Sequence, residues 1–198
     1  MDLSTFRERK NYLTKYSNFI ILSSRGFRPI YNVDSIVKSI PYVIEKYPNV
    51  KYILKTLPGS QNPELQQLAV SLNVIKYTEF ISKMIDFNEL PEMLYSVDIF
   101  ISVPSSDSSS ISLLEAMACG LPVIVSDIPV FREIYENIPI YIELGNKLSW
   151  EESFVILNDK SIVKEKINQG VKKAKEYTED KMYDSLISSL TKIWSDLY

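Results

Sequence analysis

The sequence contains no histidine and a single cysteine, Cys119. These absences remove several chemistries at once. A histidine general base cannot come from this chain, a zinc site has too few Cys and His ligands to draw on, and no internal disulfide can form. One thiol and no bridge fit a reducing compartment, so the cytoplasm is the expected location. Long apolar runs are also missing. The longest are strand-sized, which argues against a spanning helix or a signal segment. Basic charge is in short supply too: 22 Lys and Arg stand against 25 Asp and Glu, for a net charge of −3. A duplex nucleic-acid binder would carry a basic stripe, so nucleic acid is not an expected partner.

What the chain does contain is organised around residues 99–133, IFISVPSSDSSSISLLEAMACGLPVIVSDIPVFRE. Ile99, Phe100, Ile101 and Val103 form a short apolar run that Pro104 closes, because proline cannot continue a central ladder. The serine-rich residues 105–110 follow, offering hydroxyls and the Asp107 carboxylate where a helix needs an N-cap. From Ile111 to Ala118 the pattern turns helical, with Ile111, Leu113, Leu114, Met117 and Ala118 on one arc. Gly120 supplies the stop, and Pro122-Val123-Ile124-Val125 starts another buried strand. This unit sets a helix N-terminus at the carboxyl end of a parallel strand, where free amides and the positive dipole end favour phosphate. Glu115 falls at the edge of the buried arc, one turn into the helix, within reach of a ribose beside that phosphate. The pattern suggests a nucleotide site.

The rest of the chain repeats the alternation. Phe19–Ser23, Tyr52–Leu54, Val74–Tyr77 and Ile138–Ile142 read as strands. Helices are expected over Val33–Tyr47, Pro63–Leu72, Asn88–Tyr95 and Asp127–Glu136, with Asp127 as an N-cap and Pro41 bending the first of them. Beyond Gly145 comes a polar helical tail over Ser149–Leu157, Ile162–Glu176 and Thr178–Trp194. With 45% hydrophobic residues in 198, one sizeable core is expected. Strands alternating with helices over about 140 residues imply an α/β fold, a doubly wound parallel sheet with C-terminal helices. Ligands bind such sheets outside the carboxyl ends of the strands, which is where Arg25, Asp107 and Glu115 all fall. An arginine just after a strand and beside a glycine suits bidentate contact with a diphosphate.

EAMACGLPVIVSDIPVFRE resembles the C-terminal half of the family 4, or group 1, retaining glycosyltransferases. The resemblance implies the Rossmann-like donor-binding half of a GT-B fold. It also implies a nucleoside-diphosphate sugar as donor substrate and no bound metal. Those enzymes carry an acid, seven intervening residues and then Glu; here the second acid is Glu115 and the first is Asp107, not the usual Glu. Ser109 and Ser110 stand where an aromatic and a glycine commonly follow. On this resemblance Glu115 accepts hydrogen bonds from ribose hydroxyls, Arg25 neutralises the leaving diphosphate, and Asp107 contacts the sugar. The amides near Ser110, Ile111 and Ser112 cradle phosphate. The family's lysine after the arginine is absent, with Ile30 and Tyr31 in its place; Arg28 either replaces it or is a solvated cation. Phe80 and Ile81, in the loop that approaches the base in the family, either pack on the base or on the core.

Asp2-Leu3-Ser4-Thr5-Phe6 is similar to the end of the family's interdomain linker. The expected organisation is therefore a hinge segment over 1–17 and a donor domain over 18–198. The partner is then an N-terminal acceptor-binding domain, on the same or another chain, and any membrane contact runs through that domain or a lipid-linked acceptor. Trp194, Leu197 and Tyr198 either cover that domain or pack locally. The alternative reading is a non-catalytic sugar-nucleotide binding module, or a subunit of a split enzyme.

Overall fold

A computed structural model describes residues 2–3, 5–9, 19–59 and 63–197, with residues 196 and 197 described by their backbone alone. The strands are β1 Ile20–Ser23, β2 Lys51–Lys55, β3 Thr78–Ile81, β4 Ile99–Ser102, β5 Val123–Ser126 and β6 Ile140–Ile142. Between them lie α1 Val33–Ile44, α2 Pro63–Ser71, α3 Leu90–Tyr95, α4 Ile111–Ala118 and α5 Pro129–Tyr135. Three helices follow: α6 Lys147–Asn158, α7 Lys160–Ala174 and α8 Glu179–Leu197. The six strands form one sheet in the order β3-β2-β1-β4-β5-β6, every pair parallel. Successive strands run outward from β1 on one side and from β4 on the other, so the order switches between them. This is the doubly wound Rossmann-like topology that the alternation predicts.

Strand periodicity sorts the core onto two faces. Ile21, Ile99, Ile101, Ile124 and Ile140 point to one face, where α1, α2, α6 and α7 cover them. Leu22, Phe100, Val123 and Val125 point to the other, under α4, α5 and Phe6. Near-continuous apolar strands follow from having both faces covered. Helix α7 closes on α4 through Gly170, where a methyl group would come within 3.2 Å of Met117 Cγ. Among the described residues no helix is long and apolar enough to cross a membrane.

Two expectations change. The strand read at Val74–Tyr77 is instead a 3-10 turn at Ile75–Tyr77, and β3 starts after it. The reason is the end of α2: Asn73 sits at φ 56°, its amide bonds Val70 O, and Val74 N donates to Ala69 O at 2.8 Å. Val74 is thus the apolar plug of a Schellman cap rather than a strand residue. Asp127 does not cap α5, whose N-cap is Ile128; its carboxylate grips Arg132 through two 2.7 Å bonds. Helix α1 runs through Pro41 without interruption.

In the segment 1–17 that the sequence suggested as a hinge, Phe6 is buried and meets Phe87 edge-on at 5.5 Å. The Tyr95 hydroxyl accepts from Arg7 N and donates to Arg7 O. Met1, Ser4 and residues 10–17 of that segment lie outside the described residues, as do Asn18 and Tyr198. The side chains of α8 from Glu179 to Ser195 are exposed throughout, Trp194 among them.

Candidate functional site

The switch between β1 and β4 sets two loops side by side at the carboxyl edge of the sheet. They are stitched together by backbone and side chain. Ser105 N donates to Ile30 O at 2.8 Å, and Asn32 Nδ2 donates to Val103 O at 3.0 Å and to Ser105 Oγ at 2.7 Å. From the far side Ser126 Oγ bonds Pro104 O at 2.5 Å, and the buried Tyr135 hydroxyl donates to Ser109 O. Asn32 takes φ 47°, a left-handed conformation that asparagine tolerates better than most residues. The serine-rich stretch is therefore a fixed loop.

Arg25 lies two residues past β1 and reaches into that loop. Its Nε donates to Ser102 Oγ at 3.0 Å, and one terminal nitrogen donates to Ser110 Oγ at 2.6 Å and pairs with the Asp107 carboxylate. The guanidinium also lies 5.0 Å from the centre of the Tyr31 ring. Both members of the ion pair are nearly sequestered, at 14% and 13% side-chain exposure. The other Asp107 oxygen accepts from Ser108 N at 2.8 Å. Arg25, Asp107 and Ser110, singled out separately in the sequence, are thus in direct contact.

The serines do not cap α4. Ser110 is its N-cap residue but makes no side-chain cap bond, and its backbone sits at φ 50°. That is the left-handed region that glycine enters freely and serine enters at a cost of roughly 1–2 kcal/mol. Ser110 stands where the resembled family commonly has glycine, and its hydroxyl accepts a bond from Arg25. Its carbonyl accepts from Leu113 N at 2.9 Å and Leu114 N at 3.3 Å, starting the helix. The amides of Ile111 and Ser112 have no preceding turn to bond to. The Ile111 side chain is exposed, whereas Ser112 Oγ is buried without a hydrogen-bond partner among the described residues. Glu115 follows one turn later, half-buried as its helical phase predicts. Burial pushes its carboxyl up to about 7.

Arg28, Phe80 and Ile81 are not in this cluster. Arg28 is exposed and borders a groove of about 500 Å³ between α1 and α2, with Phe27, Asp34, Lys38 and Leu68. Phe80 and Ile81 belong to β3 itself rather than to a loop after it. Phe80 meets Phe27 edge-on at 6.2 Å, and Ile81 O accepts from Thr56 N at 2.8 Å.

Two residues in the cluster escaped the sequence reading, Ser102 and Tyr31. Ser102 ends β4 as Ser23 ends β1 and Ser126 ends β5. A hydroxyl closing each of three apolar strands is a signal that the sequence does carry. Tyr31 occupies the neighbourhood of the family's missing lysine and covers the arginine with a π face instead. Together the guanidinium, the hydroxyls and the open end of α4 can hold an anion, and Glu115, one turn further along α4, offers a carboxylate acceptor outside the contacts of that cluster.

The profile of the group 1 glycosyl transferases matches residues 4–138. The O-antigen chain mannosyltransferase RfbU of Salmonella typhimurium is 40% identical over 90 residues, which is 45% of this chain and 25% of that protein. The C-terminal domain of a group 1 glycosyl transferase (LpcC) from Francisella tularensis superposes with TM-score 0.73 at 18% identity. The match covers 89% of this chain and 97% of that one. Anabaena Alr3699/HepE, solved with UDP and glucose, gives TM-score 0.77 at 14% identity over 97% of this chain and 55% of that one. The chain thus spans a quarter of RfbU and about half of HepE. A profile match over more than half its length, on a sheet of the GT-B half-domain type, places the chain in the group 1 glycosyltransferase family.

Proposed function

We propose that this chain is the donor-binding half of a retaining glycosyltransferase, and that its site takes a nucleoside-diphosphate sugar. The observation that carries the reading is the convergence of Arg25, Asp107 and Ser110 at the switch point, beside the N-terminus of α4. The names of two relatives support it: RfbU is called a mannosyltransferase, and HepE was solved with UDP and glucose.

In this reading the diphosphate lies between Arg25 and the first amides of α4. As the bond from the sugar to the diphosphate breaks, negative charge grows on the leaving phosphate, and preorganised donors stabilise it more than they stabilise the ground state. Glu115 accepts from the ribose hydroxyls, with the orphaned Ser112 hydroxyl one turn away. Asp107 accepts from the sugar. An N-terminal domain brings the acceptor, and any histidine that the reaction uses comes with it.

Titration calorimetry of the chain against UDP, GDP and ADP, and then UDP-glucose and GDP-mannose, tests the reading. One diphosphate is expected to bind in preference to the others. Arg25→Ala is expected to cost about 1.5–3 kcal/mol for that diphosphate and little for the bare nucleoside. Equal losses for both ligands would remove Arg25 from the phosphate. A non-catalytic sugar-nucleotide module is the second reading, favoured by the two serines at 109 and 110. Transfer activity on supplying the acceptor domain separates the two.

A further inference from the structure

The anion-binding edge of Arg25 already holds an anion, and it comes from the same chain. Asp107 pairs with the terminal nitrogen that also donates to Ser110, and little of either charged side chain reaches solvent. The loop is built for that contact. One Asp107 oxygen is held by Ser108 N, Tyr135 pins the carbonyl of Ser109, and Ser110 accepts a left-handed backbone while its hydroxyl faces the arginine. A phosphate oxygen approaching Arg25 meets a carboxylate at the place it would take. Two anions on one guanidinium edge repel, so a phosphate oxygen and the Asp107 carboxylate compete for the nitrogen that now holds Asp107.

We propose that Asp107 is a tethered occupant of the Arg25 anion site, exchanged for the diphosphate when the donor binds. The inference rests on the reading of Arg25 as the diphosphate ligand. The exchange has two consequences. Apparent affinity for any phosphate ligand is lowered by the fraction of time that Asp107 holds the arginine. Binding also releases the carboxylate, still attached to its loop, beside the incoming sugar whose hydroxyls it can accept. The resting chain is thereby closed by its own side chain, and the ligand's charge opens it.

The test is binding of inorganic pyrophosphate and of uridine to the full chain and to Asp107→Asn, which keeps the size of the side chain and removes its charge. Pyrophosphate is expected to bind about tenfold tighter to the variant, because the competitor is gone, with uridine unchanged. In the unaltered chain, pyrophosphate is expected to raise amide hydrogen exchange over residues 105–110. Asp107→Ser repeats the experiment should Asn perturb folding, and Arg25→Ala serves as the reference. Unchanged or weaker pyrophosphate binding in both Asp107 variants, with wild-type binding still lost in Arg25→Ala, overturns the exchange and leaves the diphosphate reading standing. Binding that survives Arg25→Ala, or no binding to any of the proteins, overturns both.

Discussion

Helices α4 and α8 are written in the same alphabet, apolar residues three and four apart, and meet opposite fates. In α4 five of eight residues are buried between the sheet and α7. In α8 the apolar residues Met182, Leu186, Ile187, Leu190 and Ile193 are all more than half exposed. A short helix is marginal in water, so α4 exists because its neighbours exclude solvent from it. The nineteen residues of α8 draw on length and intrahelical bonding instead. Periodicity thus foretells a helix but not its burial, and the strength of the site follows the second property.

The contrast can be broken most forcefully at Leu113, which is fully buried in α4. Leu113→Ala is expected to lower unfolding free energy by about 2–5 kcal/mol in urea titration, since it leaves a cavity under the site helix. A loss under about 1 kcal/mol would mean that α4 is not held as its burial implies.

Glu115 gives a middle-sized effect with a definite sign. Its carboxyl is raised from 4.5 to about 7 by burial, so the folded chain keeps that proton longer than the unfolded one. Stability from this group is therefore complete below pH 4.5, declines as pH rises towards 7, and is level above. Glu115→Gln is expected to flatten that decline and to gain roughly 1 kcal/mol at pH 8, after allowing for solvent screening. The same variant should erase any rise in UDP-glucose affinity across that window, because only the ionised form offers both oxygens to a ribose. A decline that persists in Glu115→Gln belongs to another group.

The smallest effect is expected in α8. Leu186→Ala combined with Leu190→Ala should shift stability of the chain by no more than about 0.5 kcal/mol, as for other exposed positions. A larger loss would show the face covered in solution and erase the contrast with α4.

The helix bounds that could be read are those set by neighbours along the chain. The bounds of α4 and its stop are local matters: Gly120 takes φ 74°, and Leu121 N closes the cap on Ala116 O at 3.0 Å. The candidate site was legible for a related reason, because Arg25 and Asp107 each follow a strand that flanks the switch point. What escaped depended on competition between local options. Val74 has the apolar character of a strand opener, yet the left-handed Asn73 recruits it as a helix plug and pushes β3 downstream. Serines were expected to cap α4, but the buried guanidinium next door is the stronger partner for the hydroxyl of Ser110. Asp127 was likewise drawn from a capping role by Arg132.

The placing of β1 in the middle of the sheet has a consequence in time as well as space. Ile20 N is bonded to the Asp98 carboxylate, 78 positions later, and Arg25 meets Asp107 across 82. Contacts that distant close slowly, because chain entropy must be lost before the ladder rewards it. As the chain leaves the ribosome, β1 and β2 can pair early while the other edge of β1 stays open until β4 emerges. That open edge, flanked by apolar side chains, is exposed to misassociation during synthesis, and the anion site cannot form until β4 and the loop after it have emerged.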